Sequence, residues 1–201
     1  MFYIESDVLR LLHAISYFRF MKPEGALRFW TKLRDDGKEL AHMLRQFPSV
    51  MYEPLDTLYA CARAVASLDE KLIADLSAHY TWRGVTQASF LAALQPHAAY
   101  ASHLRMARDG VPHNQWIVDL ALCEIRGSSC KPYPEHQAVI RELREVIACV
   151  SKQPVSLRRA PTAEELLHLQ SASAEISDAY KRGGVALAKA VLDGSAWRPF
   201  L

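Results

Sequence analysis

Between Trp82 and Leu94 the chain carries a single charge, on Arg83, while Trp82, Val85, Ala88, Phe90, Leu91, Ala92 and Leu94 fall around most of a helical wheel. A helix that is apolar on nearly every side is stable only where other elements enclose it. The remaining residues must therefore supply a shell around this one segment. Pro96 stops the segment, Asp109-Gly110 and Pro112 stop the next, and Asn114 or His113 opens a third helix bearing Trp116, Ile117, Leu120 and Ile125. A chain of 201 residues is long enough to bury such a centre in one domain without disulfide staples.

The shell also reads as helical. Residues 4–20 place Val8, Leu11, Leu12, Ile15 and Phe18 on one face. Pro23 suits the first turn of a second helix, which repeats Leu27, Trp30, Leu33, Leu40, Leu44 and Phe47 at three- and four-residue steps, is weakened at Gly37 and ends at Pro48. Pro54 opens a third. Ser67-Leu-Asp-Glu70 has the spacing of a capping box and starts a fourth that runs to about Tyr80. After a loop at 131–134, Pro134 begins a helix with Val139, Leu143, Val146, Ile147 and Val150 inward; 153–161 is a second loop. Thr162-Ala-Glu-Glu165 is another capping box, Gly183-Gly184 splits the helix it opens, and the apolar tail 195–201 docks back on the body. No stretch alternates apolar and polar residues over strand length. The expectation is an all-α fold, one compact domain over 1–201 of about eight to nine helices. Its consecutive antiparallel pairs (54–79, 82–109, 113–152) have the size of helical-repeat units without being self-similar.

Half of the residues are hydrophobic and 23% are charged, the balance of a globular protein rather than a disordered one. A net charge of +2 gives no global field for nucleic acid or a membrane surface. The first apolar run is broken by Arg10, His13 and Arg19, so it reads neither as a signal peptide nor as a membrane span, and the expected setting is cytoplasmic. The four cysteines form no C-x-x-C pair; Cys61, Cys123 and Cys149 sit among apolar residues as small buried hydrophobes do, in the reduced state. Residues 81–160 hold ten Lys/Arg against six Asp/Glu, a basic middle that favours an acidic partner.

Two E-x-x-H motifs, Glu39-Leu-Ala-His42 and Glu165-Leu-Leu-His168, are the sharpest enzymatic signal. Four-helix di-iron proteins use two such motifs and two further glutamates, for which Glu5 and Glu124 are available. The helical wheel turns Glu39 and His42 away from Leu40 and toward water, and the capping box already accounts for Glu165. His79, His97, His103, His113 and His136 share no H-x-x-x-H spacing and mostly lie at helix ends, where capping or solvation explains them. No nucleophile elbow, P-loop or dinucleotide fingerprint is present. A pocket near Trp82 and Trp116 would suit a ligand-binding regulator. Arg105 and Arg108, three apart on one helix and opposite Leu104, would form a paired basic edge, which the loop arginines Arg158 and Arg159 could extend.

The block Trp82-Arg-Gly-Val with Phe90-Leu-Ala-Ala-Leu, followed by Pro112-His-Asn-Gln-Trp-Ile-Val-Asp-Leu-Ala-Leu, resembles the helix pairs of compact HEAT-like proteins. It also resembles the small all-helical immunity proteins of bacterial polymorphic toxin systems. That resemblance implies a cytosolic bacterial protein that blocks a cognate toxin through a surface patch, with no cofactor and no chemistry of its own. The first expectation for function is accordingly a non-enzymatic helical interaction module with one protein partner. The alternatives are a di-iron-like helical-bundle enzyme using the two E-x-x-H motifs, and a helical regulator that binds a small ligand.

Overall fold

A computed structural model describes residues 22–40, 55–79, 81–150 and 158–200, and every regular element among them is helical. The elements are α1 (Pro23–Leu40), α2 (Leu55–Ala66), α3 (Glu70–His79), α4 (Thr81–Leu94), α5 (Tyr100–Arg108), α6 (Gln115–Arg126), α7 (Pro134–Cys149) and α8 (Ala163–Gly194), with short 3-10 turns at Pro112–Asn114 and Arg198–Phe200. The expected helix over 4–20 and the stretch from Leu44 to Pro48 lie outside the described residues. The all-α expectation is borne out.

The centre of the fold is α4. Every residue from Gly84 to Leu94 is buried, because α2, α3, α5, α6 and α7 all pack against it. Thr81 at its start has a φ of +57°. The helix pairs α4–α5 and α6–α7 are in contact, yet the most extensive packing is α4 on α6, α4 on α3 and α1 on α7. At the outer side of this centre Trp30 of α1 stacks on Phe90 of α4, centroids 5.0 Å apart and rings 7° from parallel. Gly37, a weak point by helix propensity, proves to be a close approach. A Cβ there would lie 2.7 Å from Cγ1 of Val146 and 2.8 Å from Cδ2 of Leu58, so glycine lets α1 sit down on α7 and α2.

The start of α3 differs from expectation, whereas α6 opens at Asn114 as expected. α3 begins at Glu70, and its cap is the Asp69 carboxylate, whose Oδ1 accepts the Leu72 N–H at 2.8 Å. Ser67 stands a further two residues back, too far out to reach the third amide of the helix. At α6, Asn114 occupies the cap position without capping; its Nδ2 donates instead to Thr86 Oγ1 of α4 at 2.5 Å, tying the two helices together.

α8 is two helices. Gly183 and Gly184 leave helical geometry, the latter with φ +67° and ψ −156°. Had the helix run straight, residue 194 would stand ~30 Å beyond Ser173. Instead the Trp197 indole N–H is 3.1 Å from the Leu169 carbonyl and 2.9 Å from Ser173 Oγ, so the chain reverses at the glycine pair into a helical hairpin. Trp197 and Phe200 are buried by that return, and the Arg158 amide donates to the Phe200 carbonyl at 3.0 Å.

Candidate functional site

Glu124, on the buried side of α6, is the most deeply placed charge in the described structure, with its side chain 3% exposed. It accepts hydrogen bonds from Arg144 and from Nε2 of Gln137, both on α7, and Arg141 Nη2 stands 3.5 Å away. Arg144 also donates to the Ala93 carbonyl from Nε at 3.1 Å, filling one of the acceptors that the end of α4 leaves open. Gln137 completes the arrangement: its Nε2 donates to the Ser128 carbonyl at 2.9 Å and its Oε1 accepts the Cys130 amide at 3.0 Å. The network joins α4, α6, α7 and the loop after α6, and it engages both carboxylate oxygens of Glu124.

An aromatic cluster stands beside it. Trp116 lies against Trp30, Tyr133 and His136, with centroids 5.7, 5.9 and 5.5 Å away. His136 is buried, and its Nε2 donates to the Pro23 carbonyl at 2.7 Å, anchoring the start of α1. Near the expected pocket at Trp82 and Trp116, the Trp116 ring thus packs on Trp30, Tyr133 and His136. Trp82 stays half-buried with the Arg83 guanidinium 5.3 Å over its ring. An open groove of about 440 Å³ runs elsewhere, along Leu27, Arg28, Thr31, Lys32, Asp35 and Asp36 of α1.

The E-x-x-H residues are not brought together among the described residues. Glu39 is exposed, and His42 and Glu5 lie outside the described part. Glu165 closes the capping box with Thr162 and holds Arg159 in a two-pronged ion pair at 2.8 and 2.6 Å. The Arg159 guanidinium, followed by the Thr162 amide, holds its carboxyl down at about 2 from an ordinary 4.5. His168 is exposed. No group of three or more His, Cys, Asp or Glu side chains suited to a metal occurs among the described residues. The clustered histidines also have separate surroundings: His97 lies against Tyr100, His103 Nε2 is 3.0 Å from Glu70, and His113 is exposed.

Of the four arginines, two are engaged within the chain. Arg108 forks onto Asp119 of α6 at 2.7 and 2.8 Å, and Arg159 is held by Glu165 and lies 4.4 Å over the Phe200 ring. Arg105 is exposed with no ion-pair partner among the described residues, as is the Arg158 side chain. The two pairs belong to different parts of the fold, α5 and the segment leading into α8. Beside Arg105 sits Met106, 74% exposed, and with Ser102 and Asp109 these residues make the outer face of α5. Met106 was legible in the sequence: two positions from buried Leu104, it points to the opposite side of the helix.

Of the cysteines expected to be buried, Cys61 matches and Cys149 does not. Cys61 is buried, Cys123 half-buried and Cys149 exposed at the end of α7, while Cys130 in the loop is buried. Apolar neighbours in sequence did not indicate which face of α7 Cys149 would occupy. No helix among the described residues is long and apolar enough to cross a membrane. In comparisons with family models, curated proteins and solved structures, none matched this chain.

Proposed function

We propose that the chain is a non-enzymatic helical interaction module that engages one protein partner through the outer face of α5. The observation that carries this reading is Met106, 74% exposed beside the uncommitted Arg105. Methionine is an adaptable apolar contact, and arginine is enriched at interface centres. Holding such a side chain in water has a cost that a partner surface removes. An acidic partner would be met by Arg105, whereas Arg108 is turned inward by Asp119. The resemblance to immunity proteins supplies the narrower version, in which the partner is a cognate toxin and the cell compartment is the cytoplasm. The four unpaired cysteines suit a reducing compartment of that kind.

The test is a photo-crosslinking residue placed at Met106 and, separately, at exposed Lys189. A discrete crosslinked partner from position 106 and none from 189 is the expected result. In binding kinetics with that partner, Arg105→Glu should slow association more than it speeds dissociation, and added salt should have the same effect. Equal crosslinking from both positions, or an association rate indifferent to Arg105→Glu and to salt, overturns the assignment of the surface.

A further inference from the structure

The two halves of α8 meet in a reversal that depends on glycine. Gly184 has φ +67° and ψ −156°, a region that only glycine occupies readily, and Gly183, at φ −139° and ψ 16°, also leaves helical geometry. A Cβ at Gly183 would stand 2.9 Å from both Cβ and Cδ2 of Leu187. In a continuous helix, positions four apart are ordinary neighbours whose Cβ atoms lie about 5–6 Å from each other. The chain is helical on both sides of the pair, so both constraints belong to the folded-back form and vanish if α8 runs straight. What the reversal returns is an arm, residues 185–200, and the groups that grip its end lie on the other side of the glycines. The Trp197 indole N–H donates to the Leu169 carbonyl and to Ser173 Oγ. The Phe200 ring lies under the Arg159 guanidinium, and the Phe200 carbonyl accepts the Arg158 amide. Leu169 stands as far before Gly183 as Trp197 stands after it, so the glycine pair is at the centre of the pairing.

We propose that this arm is exchangeable: two copies of the chain pair by straightening α8 at Gly183-Gly184, each seating its Trp197 and Phe200 on residues 158–173 of the other. A second copy offers the identical seat, so the exchange keeps the grip on Trp197 and Phe200 and removes the constrained reversal. A straight helix also joins the backbone groups that a break leaves open at two helix ends. The two straightened helices run antiparallel. The register set by Leu169 and Trp197 brings both glycine pairs to the twofold axis, where the absence of side chains lets the backbones cross closely. Joining two chains costs their independent motion, so the dimer forms at high concentration and the single chain prevails on dilution. Each arm must leave its own seat before it can take the other, so the two forms interconvert slowly.

The experiment unfolds the full chain in urea, refolds it at low and at high protein concentration, and reads its mass by light scattering behind a sizing column. A thiol reductant is kept present to prevent links through exposed Cys149. The expected result is monomer from the dilute sample and dimer from the concentrated one. Gly183→Ala and Gly184→Ala should each tighten the apparent dissociation constant by at least about tenfold, because both copies shed a strained side chain on exchange. Inserting extra glycines between Gly183 and Gly184 relaxes the reversal without straightening it and should leave monomer. A dimer of one chain labelled with nitrogen-15 and one with carbon-13 identifies the exchange: in isotope-filtered spectra the Trp197 indole proton should meet Ser173 of the other chain. A wild type that refolds to monomer at every concentration overturns the proposal, whatever the alanine variants do. A dimer in which Trp197 meets only Ser173 of its own chain overturns it too, since the copies would then be joined through another face.

Discussion

Trp30 and Phe90 lie face to face, 5.0 Å between centroids, and both are fully buried. This one contact fastens α1 to the centre of α4. Truncating Phe90 removes the stack and leaves a cavity that the helices enclosing α4 cannot readily close. Phe90→Ala should cost about 3–5 kcal/mol in chemical denaturation. A variant that melts with the wild type would place α4 at the periphery.

Glu124 should tolerate little. Removing it leaves Arg144 and Gln137 aimed at an empty place, the situation in which broken buried pairs are most costly. Glu124→Ala is expected to lose about 3–5 kcal/mol. Arg141→Ala, by contrast, removes a side chain that is 57% exposed and should change stability by under about 1 kcal/mol. Urea unfolding of both variants checks the difference.

The start of α8 should give a pH-dependent contribution. The folded carboxyl of Glu165 lies at about 2 and the ordinary value at 4.5, so the unfolded chain binds the proton more readily. Stability from this group is therefore fully present above about 4.5 and is lost as pH falls through about 2. Wild type should exceed Glu165→Gln at neutral pH, and the gap should close in acid. Thr162→Ala should lower stability by about 1 kcal/mol whatever the pH. A gap between wild type and Glu165→Gln that persists in acid would contradict the ion-pair assignment.

Gly184 should resist substitution more than its exposed neighbours. Its φ of +67° with ψ −156° is a conformation that side chains oppose. Gly184→Ala should cost about 1–3 kcal/mol, and the strain should loosen the return of Trp197 onto Ser173. Intrinsic tryptophan fluorescence against denaturant reads both effects. An unchanged midpoint would mean that the chain does not reverse there.

The sequence by itself determined the features that one or two helical turns decide. The all-round apolar run from Trp82 to Leu94 became the enclosed helix, the Thr162–Glu165 box caps α8, and the Gly183-Gly184 pair breaks it. Those signals are local, because a cap or a breaker acts on amides within its own turn. Only the tertiary structure decided which polar groups meet. A helical wheel puts Arg108 nearer than Arg105 to buried Leu104, but it does not show that Asp119 of the packed neighbour claims Arg108 while Arg105 stays in water. Asp69 displaced Ser67 as a cap, and the Asn114 side chain turned to Thr86 rather than to the amides of its own helix. Such choices depend on which helix faces are brought together. A hydrogen bond or ion pair wins only where packing has already excluded water and fixed the distance, and the spacing of residues along the chain does not carry that information.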